Sequence, residues 1–350
     1  MSFIKPKFRH PNAPTNAIGL TETAYEGAIS TLCAGCGHDS ISAAIVRACW
    51  ELDLPPHRVA KLSGIGCSSK SPTYFLKQAH GFNTVHGRMP SVATGANVAN
   101  RDLTYFGVSG DGDSASIGMG QFAHVVRRNL NMVYVVENNG CYGLTKGQSS
   151  ATQDRGSASR KGAANPYSPI DLVGVALQLG ATFVGRSFSG DKEQLVPLIK
   201  AAINHKGFAL LDVVSPCVTF NNHSGSTKSY DYTRDHVETG VVMDFIPARE
   251  EITTAYDEGS TQEVILHDGS AIHLHKAESS YDATDRQAAI NKVQEYKDEG
   301  KILTGLIYLE EDAAEFHEMM DTSETPFNQM DESELCPGAE TLARINAGFQ

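Results

Sequence analysis

The feature that most constrains the fold is an alternation of two kinds of segment between residues 30 and 217. "VAKLSGIG" (59–66), "LTYFGVSG" (103–110), "NMVYVVENN" (131–139) and "GFALLDVVSP" (207–216) are short apolar runs that stop at Gly, Asn or Pro. Continuous rather than alternating apolar character over so few residues suits strands covered on both faces, as in a parallel sheet. Between them, "DSISAAIVRACWEL" (39–52), "SVATGANVAN" (91–100), "SASIGMGQFAHVVRRN" (114–129), "SPIDLVGVALQLG" (168–180) and "DKEQLVPLIKAAINH" (191–205) space apolar residues by three and four, several opening on Ser or Asp. These read as capped helices. The order predicts a doubly wound, mostly parallel α/β sheet with ligands beyond the carboxyl ends of its strands. Gly66, Gly110, Asn139 and Pro216 fall at those ends.

From residue 221 the character changes. A polar stretch, "NNHSGSTKSYDYTRDH", precedes "QEVILHDGSAIHLHK" (262–276), which predicts a β-hairpin turning at Asp268-Gly269. A helix over 285–298 and a strand over 302–311 follow, and the last forty residues form an acidic arm. We therefore divide the chain into an α/β domain, 1–220, and an irregular C-terminal extension, 221–350, packing on the core or on a partner. Of the hairpin histidines His267, His273 and His275, alternation puts only His273 and His275 on one face, too few to hold a metal.

A formal charge of -12 argues against a general nucleic-acid binder. The opening residues lack the apolar core of a signal peptide, and no apolar run approaches a membrane span, so a soluble cytoplasmic protein is expected. Seven cysteines, an odd number, suit a reducing compartment.

"GDGDSASIGMG" (110–120) is glycine-rich, yet it lacks the lysine of a P-loop and carries acid in its tightest turn. Asp111 follows one predicted strand; Asn138 and Asn139, 28 residues beyond Asp111 in the case of Asn139, end the next. Carboxylate and amide oxygens at neighbouring strand ends suit Mg²⁺, which would in turn hold a phosphate. The glycines admit a diphosphate, and a helix from about Ser114 would offer it N-terminal amides. G-D-G followed at this distance by N-N resembles the thiamine diphosphate signature, which implies Mg²⁺ on Asp111, Asn139 and the backbone carbonyl of Cys141.

Cys33-x-x-Cys36, Cys67 and Cys217 lie on loops at the same sheet edge. The residues alone leave open a Cys₄ iron–sulfur cluster, structural zinc or a redox pair. Cys49 sits in a helical apolar pattern, and Cys336 in the tail. "CAGCGH", "GIGCSSK", "HGRMPSVATGA", "GDGDSASIG", "NNGCYGLTKGQSSAT" and "SPC", in this order over residues 20–235, resemble the β subunits of the 2-oxoacid:ferredoxin oxidoreductases. "FNNHSGSTKSYDYTR" and the longer C-terminal part are most similar to the 2-oxoglutarate branch.

The resemblance implies a thiamine diphosphate-binding fold, with a [4Fe–4S] cluster on Cys33, Cys36, Cys67 and Cys217. It implies cofactor contacts from His38, Gly66, Cys67, Ser68, His86, Gly87, Gly110, Asp111, Gly112, Asp113, Asn139, Tyr142, Gly143, Leu144 and Thr145. Substrate contacts fall to Lys70, Leu144 and Lys146. The implied reaction is oxidative decarboxylation of 2-oxoglutarate with coenzyme A to succinyl-CoA and CO₂, or its reverse, with ferredoxin as electron partner. An α subunit supplies the activating glutamate in an α₂β₂ assembly, since Glu137 is expected only to cap or pair locally. Pyruvate or broad specificity, or a non-redox thiamine enzyme with zinc, are the alternatives.

Overall fold

The computed structural model describes residues 12–157, 164–215, 217–220, 252–265, 271–278, 280–336 and 338–349. Pro216, the stretch 221–236, His267 and the Asp268-Gly269 turn lie outside the described residues.

The four apolar runs form β1 (Val59–Ser63), β3 (Thr104–Gly110), β4 (Met132–Asn138) and β8 (Phe208–Val214). Added to them are β2 (His80–Asn83), β7 (Phe183–Phe188), β9 (Thr261–Ile265), β10 (Ala271–Lys276) and β11 (Ile302–Leu309), with β5 (Cys141–Tyr142) and β6 (Gln148–Ser149) pairing apart as a small antiparallel ribbon. The nine-stranded sheet runs β2-β1-β3-β4-β8-β7-β11-β10-β9. Its first six strands are parallel; β11 is antiparallel to β7, and β9 and β10 form the expected antiparallel pair. The extension thus continues the main sheet.

Alternation explains how both faces are covered. On β4, Tyr134 and Val136 pack with α2 (Met89–Ala99), α3 (Met119–Arg127), α4 (Leu172–Gln178) and α6 (Arg286–Asp298), whereas Val133 and Val135 pack with α1 (Gly37–Glu51) and α5 (Lys192–Asn204). Asp171, Asp191 and Asp285 cap α4, α5 and α6, accepting from Val173, Gln194 and Ala288 amides. The helix expected over 114–129 is broken: Gly112–Ile117 is a π-helical turn closed by Gly118 N–H donating to the Asp113 carbonyl at 2.8 Å, and α3 starts only at Met119. The chain ends in α7 (Phe316–Met319), α8 (Glu332–Leu335) and α9 (Gly338–Ala347). Among the described residues no helix is long and apolar enough to cross a membrane.

From β1 the chain first passes to β2, then crosses back to begin β3 on the other flank of β1. The strand order reverses there, and a doubly wound sheet places its ligand crevice outside the carboxyl ends of the strands at such a point.

Candidate active site

Two loops enter that crevice. After β1 come Gly64, Gly66 and Cys67, then a 3₁₀ turn (Ser68–Thr73) that carries Lys70. After β3 comes Asp111, and beside it β4 ends at Asn138 and Asn139. The loops touch closely: a methylene built on Gly110 would lie 2.7 Å from the Ser68 hydroxyl, and one on Gly112 would strike the Tyr142 ring at 2.6 Å. Glycine is required at 112 by this approach, and Tyr142 O–H donates to the Gly112 carbonyl at 2.8 Å.

Asp111 is buried, 1% exposed. Its Oδ1 accepts from Asn139 N–H at 3.3 Å and its Oδ2 from the Thr152 hydroxyl at 2.6 Å, with Ser150 also donating to the carboxyl. Burial raises its pKa, and those hydrogen bonds pull it back. The donors that reach it among the described residues are all neutral, so a buried carboxylate lacks a positive partner, a demand a divalent cation would meet. Asn139 Oδ1 meanwhile accepts from Cys141 N–H at 3.1 Å, turning the Cys141 loop in beside it. The donor set of carboxylate, amide and carbonyl oxygens fits Mg²⁺.

Asp113 lies apart from that set. Its Oδ1 accepts from Gly87 N–H at 2.8 Å and its Oδ2 from the Ser109 hydroxyl at 3.0 Å. The second acid of the loop therefore ties the His86-Gly87 turn to β3. His86, Leu144, Thr145 and Lys146 are exposed, Lys70 is half-buried, and Gly143 is buried.

A polar knot under the cysteine loops was not legible in the sequence. Glu137 is fully buried and accepts from the Ser71 hydroxyl at 2.9 Å; its Oε1 has no hydrogen-bond partner among the described residues. His38, equally buried, sets Nδ1 2.7 Å from the Ser215 hydroxyl and Nε2 3.5 Å from Asn139 Nδ2. The 3.6 Å approach of His38 to Glu137 would be an ion pair only with His38 charged. Burial depresses His38 to about 4 and pushes Glu137 well above the carboxylate range, so we read a neutral contact. The expectation of a merely local role for Glu137 is corrected: Ser71 lies 66 residues away in sequence. Ser215, Ser150 and Thr152 fall inside motifs quoted above and Ser71 just beyond one, but nothing in the sequence pairs them with His38, Glu137 or Asp111; the fold does.

The knot stitches together the loops of Cys36, Cys67 and Cys217. A methylene on Gly143 would sit 3.3 Å from Cys67 Sγ and 3.7 Å from Cys217 Sγ, so both thiols face Gly143, with the Cys141 thiol hydrogen-bonded to Cys217. The Thr219 hydroxyl donates to Cys33 Sγ at 3.6 Å. Burial raises the Cys36 thiol and lifts Cys67 to about 11, with Cys217 opposing ionisation of both. Thiols that resist ionisation together are deprotonated when a metal binds them, so the donor chemistry fits a metal centre. Among the described residues no three His, Cys, Asp or Glu side chains already form a metal-ligating group. Cys49 is buried in the core, as expected, and burial raises it to about 12. His275 is buried and stacked on Tyr296, while His273 is exposed.

The thiamine pyrophosphate enzyme C-terminal TPP-binding domain matches residues 64–213, and the family described as the C-terminal part of the pyruvate ferredoxin oxidoreductase beta subunit matches 271–325. The 2-oxoacid:ferredoxin oxidoreductase subunit beta of Saccharolobus solfataricus is 42% identical over 191 residues, 54% of this chain and 63% of that protein. The chain thus spans just under two thirds of that relative. The 2-oxoglutarate synthase subunit KorB of Methanocaldococcus jannaschii is 39% identical over 192 residues, 54% of this chain and 69% of the relative. A solved 2-oxoglutarate:ferredoxin oxidoreductase from Magnetococcus marinus, with 2-oxoglutarate, coenzyme A and succinyl-CoA bound, superposes with a TM-score of 0.69 at 31% identity, covering 86% of this chain and 89% of that one. Because the matched thiamine-binding domain spans Asp111, Asn139 and the crevice between β1 and β3, and the likeness extends over most of the solved chain, this protein belongs to the β subunits of the 2-oxoacid:ferredoxin oxidoreductases.

Proposed function

We propose that this chain is the cofactor-bearing half of a cytoplasmic, coenzyme A-dependent oxidoreductase for 2-oxoglutarate. The observation that carries the reading is Asp111, a buried carboxylate whose donors among the described residues are neutral, set near the Gly143 loop that the Cys67 and Cys217 thiols face. Asp111, Asn139 and the Cys141 carbonyl would hold Mg²⁺, and the loops at Gly66–Ser68, His86-Gly87, Gly110–Asp113 and Tyr142–Thr145 would hold thiamine diphosphate. Cys33, Cys36, Cys67 and Cys217 would hold a [4Fe–4S] cluster. The chemistry these groups supply is cleavage of the bond between the carbonyl and carboxylate carbons of a 2-oxo acid, and acceptance of electrons one at a time. Zinc cannot do the second.

The chain's own residues bind and orient. His38, neutral and fixed by Ser215, holds Asn139 in place. Lys70 and Lys146 would offer cations to the two carboxylates of 2-oxoglutarate, and Leu144 would lend the substrate an apolar contact. Residues 1–220 carry cofactor and cluster, and β9–β11 of the C-terminal part extend the same sheet. Val85, Ile117 and Leu144 stand exposed on the loops framing the crevice, an apolar rim for an α subunit that brings the activating glutamate, in an α₂β₂ assembly. The net reaction converts 2-oxoglutarate, coenzyme A and two oxidised ferredoxins to succinyl-CoA, CO₂, two reduced ferredoxins and one proton; with strong reductant it runs in reverse.

The names of the relatives support 2-oxoglutarate, and the solved neighbour holds that acid. The C-terminal family match, described for pyruvate ferredoxin oxidoreductase, favours pyruvate as the second reading. The test is ferredoxin reduction by the anaerobically purified complex of this chain with its α subunit. We expect kcat/KM for 2-oxoglutarate to exceed that for pyruvate by about tenfold or more. Preference for pyruvate would move the assignment to the second reading, and oxidation of neither acid would overturn both.

A further inference from the structure

Strand β7 buries a charge that sheet stability does not call for. Arg186 is 9% exposed and points between two acids: its Nε donates to Asp212 Oδ2 at 3.0 Å, and its terminal nitrogen pairs with Asp171, the residue that caps α4. Buried ion groups of this kind contribute little net stability, since apolar residues of equal volume often serve as well or better. The other oxygen of Asp212 leads elsewhere. Its Oδ1 accepts from Asn138 Nδ2 at 3.0 Å, and the single proton of the Thr152 hydroxyl is shared between Asp111 Oδ2 at 2.6 Å, the nearer and charged acceptor, and Asn138 Oδ1 at 3.2 Å.

The chain of contacts has a defined sense. An ionised carboxylate only accepts, so Asp212 selects the amino end of the Asn138 amide and turns its oxygen towards Thr152. Thr152 then sits between two acceptors, with the Ser150 hydroxyl 3.0 Å behind it. Its hydroxyl is held against Asp111 from a fixed side.

We infer that Asp212, locked by Arg186, is a positioning residue for Asp111, acting through Asn138 and Thr152 to set the carboxylate that binds the cofactor's cation. The inference rests on the reading of Asp111 as a Mg²⁺ ligand. It gives the buried ion triad a purpose: a rigid post within β7 and β8 against which a ligand just beyond β3 is braced.

The test is titration of Mg²⁺ into the metal-free complex of this chain with its α subunit at saturating thiamine diphosphate, followed by calorimetry, with melting temperature measured alongside. Thr152→Val, which keeps the shape and removes the hydroxyl, should weaken Mg²⁺ about tenfold, and Thr152→Ser should restore it. Asp212→Asn should weaken it comparably, and the double variant Thr152→Val/Asp212→Asn should be little worse than either single one, because both cut the same chain. Wild-type Mg²⁺ affinity in Thr152→Val, or fully multiplicative losses in the double variant, would overturn the inference. Should Asp212→Asn not fold, the Thr152 pair and Asn138→Leu decide alone: Asn138→Leu with undiminished affinity overturns the inference too. A wild-type complex that binds no Mg²⁺ at all would instead refute the functional reading beneath it.

Discussion

The two ends of the central sheet treat buried polar groups differently. On the β9–β11 side such groups are closed locally. His275 lies between the Thr261 hydroxyl at 2.8 Å and the Tyr296 hydroxyl at 3.0 Å. At the carboxyl ends of β1, β3 and β4 the groups are buried as deeply but left incomplete. Among the described residues Asp111 meets only neutral donors and Glu137 keeps one oxygen unpartnered, and thiols raised by burial gather at Gly143. Depth of burial therefore does not distinguish a site from a core. An electrostatic demand that the chain does not meet by itself does.

The comparison can be broken at its strongest point. Asp111→Ala should lower thiamine diphosphate affinity in Mg²⁺ by roughly 100-fold or more, beyond the loss expected for an outer partner, with the melting temperature held or raised as an uncompensated buried acid disappears. Calorimetric titration of the complex checks this, and retained binding would remove the metal argument. At the other end the consequences reverse. Leu274 on β10 is fully buried, so Leu274→Ala should cost about 3 kcal/mol, read from the urea midpoint, and leave cofactor affinity alone. A matching fall in affinity would mean the two regions are not separable.

The smallest effect is in pH. Burial lowers the His275 pKa, against an opposing pull from Glu278. The folded state thus prefers the neutral ring while the unfolded chain protonates it more readily. The contribution is complete above the unfolded value, about 6.5, and is lost as pH falls towards the folded value. His205 and His317, lowered by burial too, add in the same direction. The urea midpoint should drop between about pH 7 and about pH 5, and His275→Gln should flatten that slope in part. An unchanged slope in the variant would show that His275 is indifferent to folding.

How much was legible follows from whether information lay along the chain or across it. Strands β1, β3, β4 and β8 announce themselves as apolar runs because both of their faces are covered. Strand β2 does not: all four residues of "HGFN" are exposed at the sheet edge, so neither alternation nor apolarity marks them. Strand β7 carries Arg186 in its middle, a charge that only Asp171 and Asp212 make acceptable. The metal-type residues stood out because Asp111, Asn139, Cys67 and Cys217 each follow a strand beside a turn residue, and Cys33 and Cys36 form a Cys-x-x-Cys pair just before α1. The supporting hydroxyls and Glu137 did not, since Thr152 reaches Asp111 across 41 residues and Ser71 reaches Glu137 across 66. The role of Asp113 likewise became plain only when Gly87 was seen to donate to it.

Everything proposed for this chain turns on whether the thiols beside Asp111 serve one-electron chemistry. Iron, acid-labile sulfide and zinc should be measured on the complex purified without oxygen. One-electron chemistry predicts a brown protein with about four iron and about four sulfide per copy of this chain, reducible in an electron paramagnetic resonance titration. A colourless protein carrying zinc and no sulfide would contradict it.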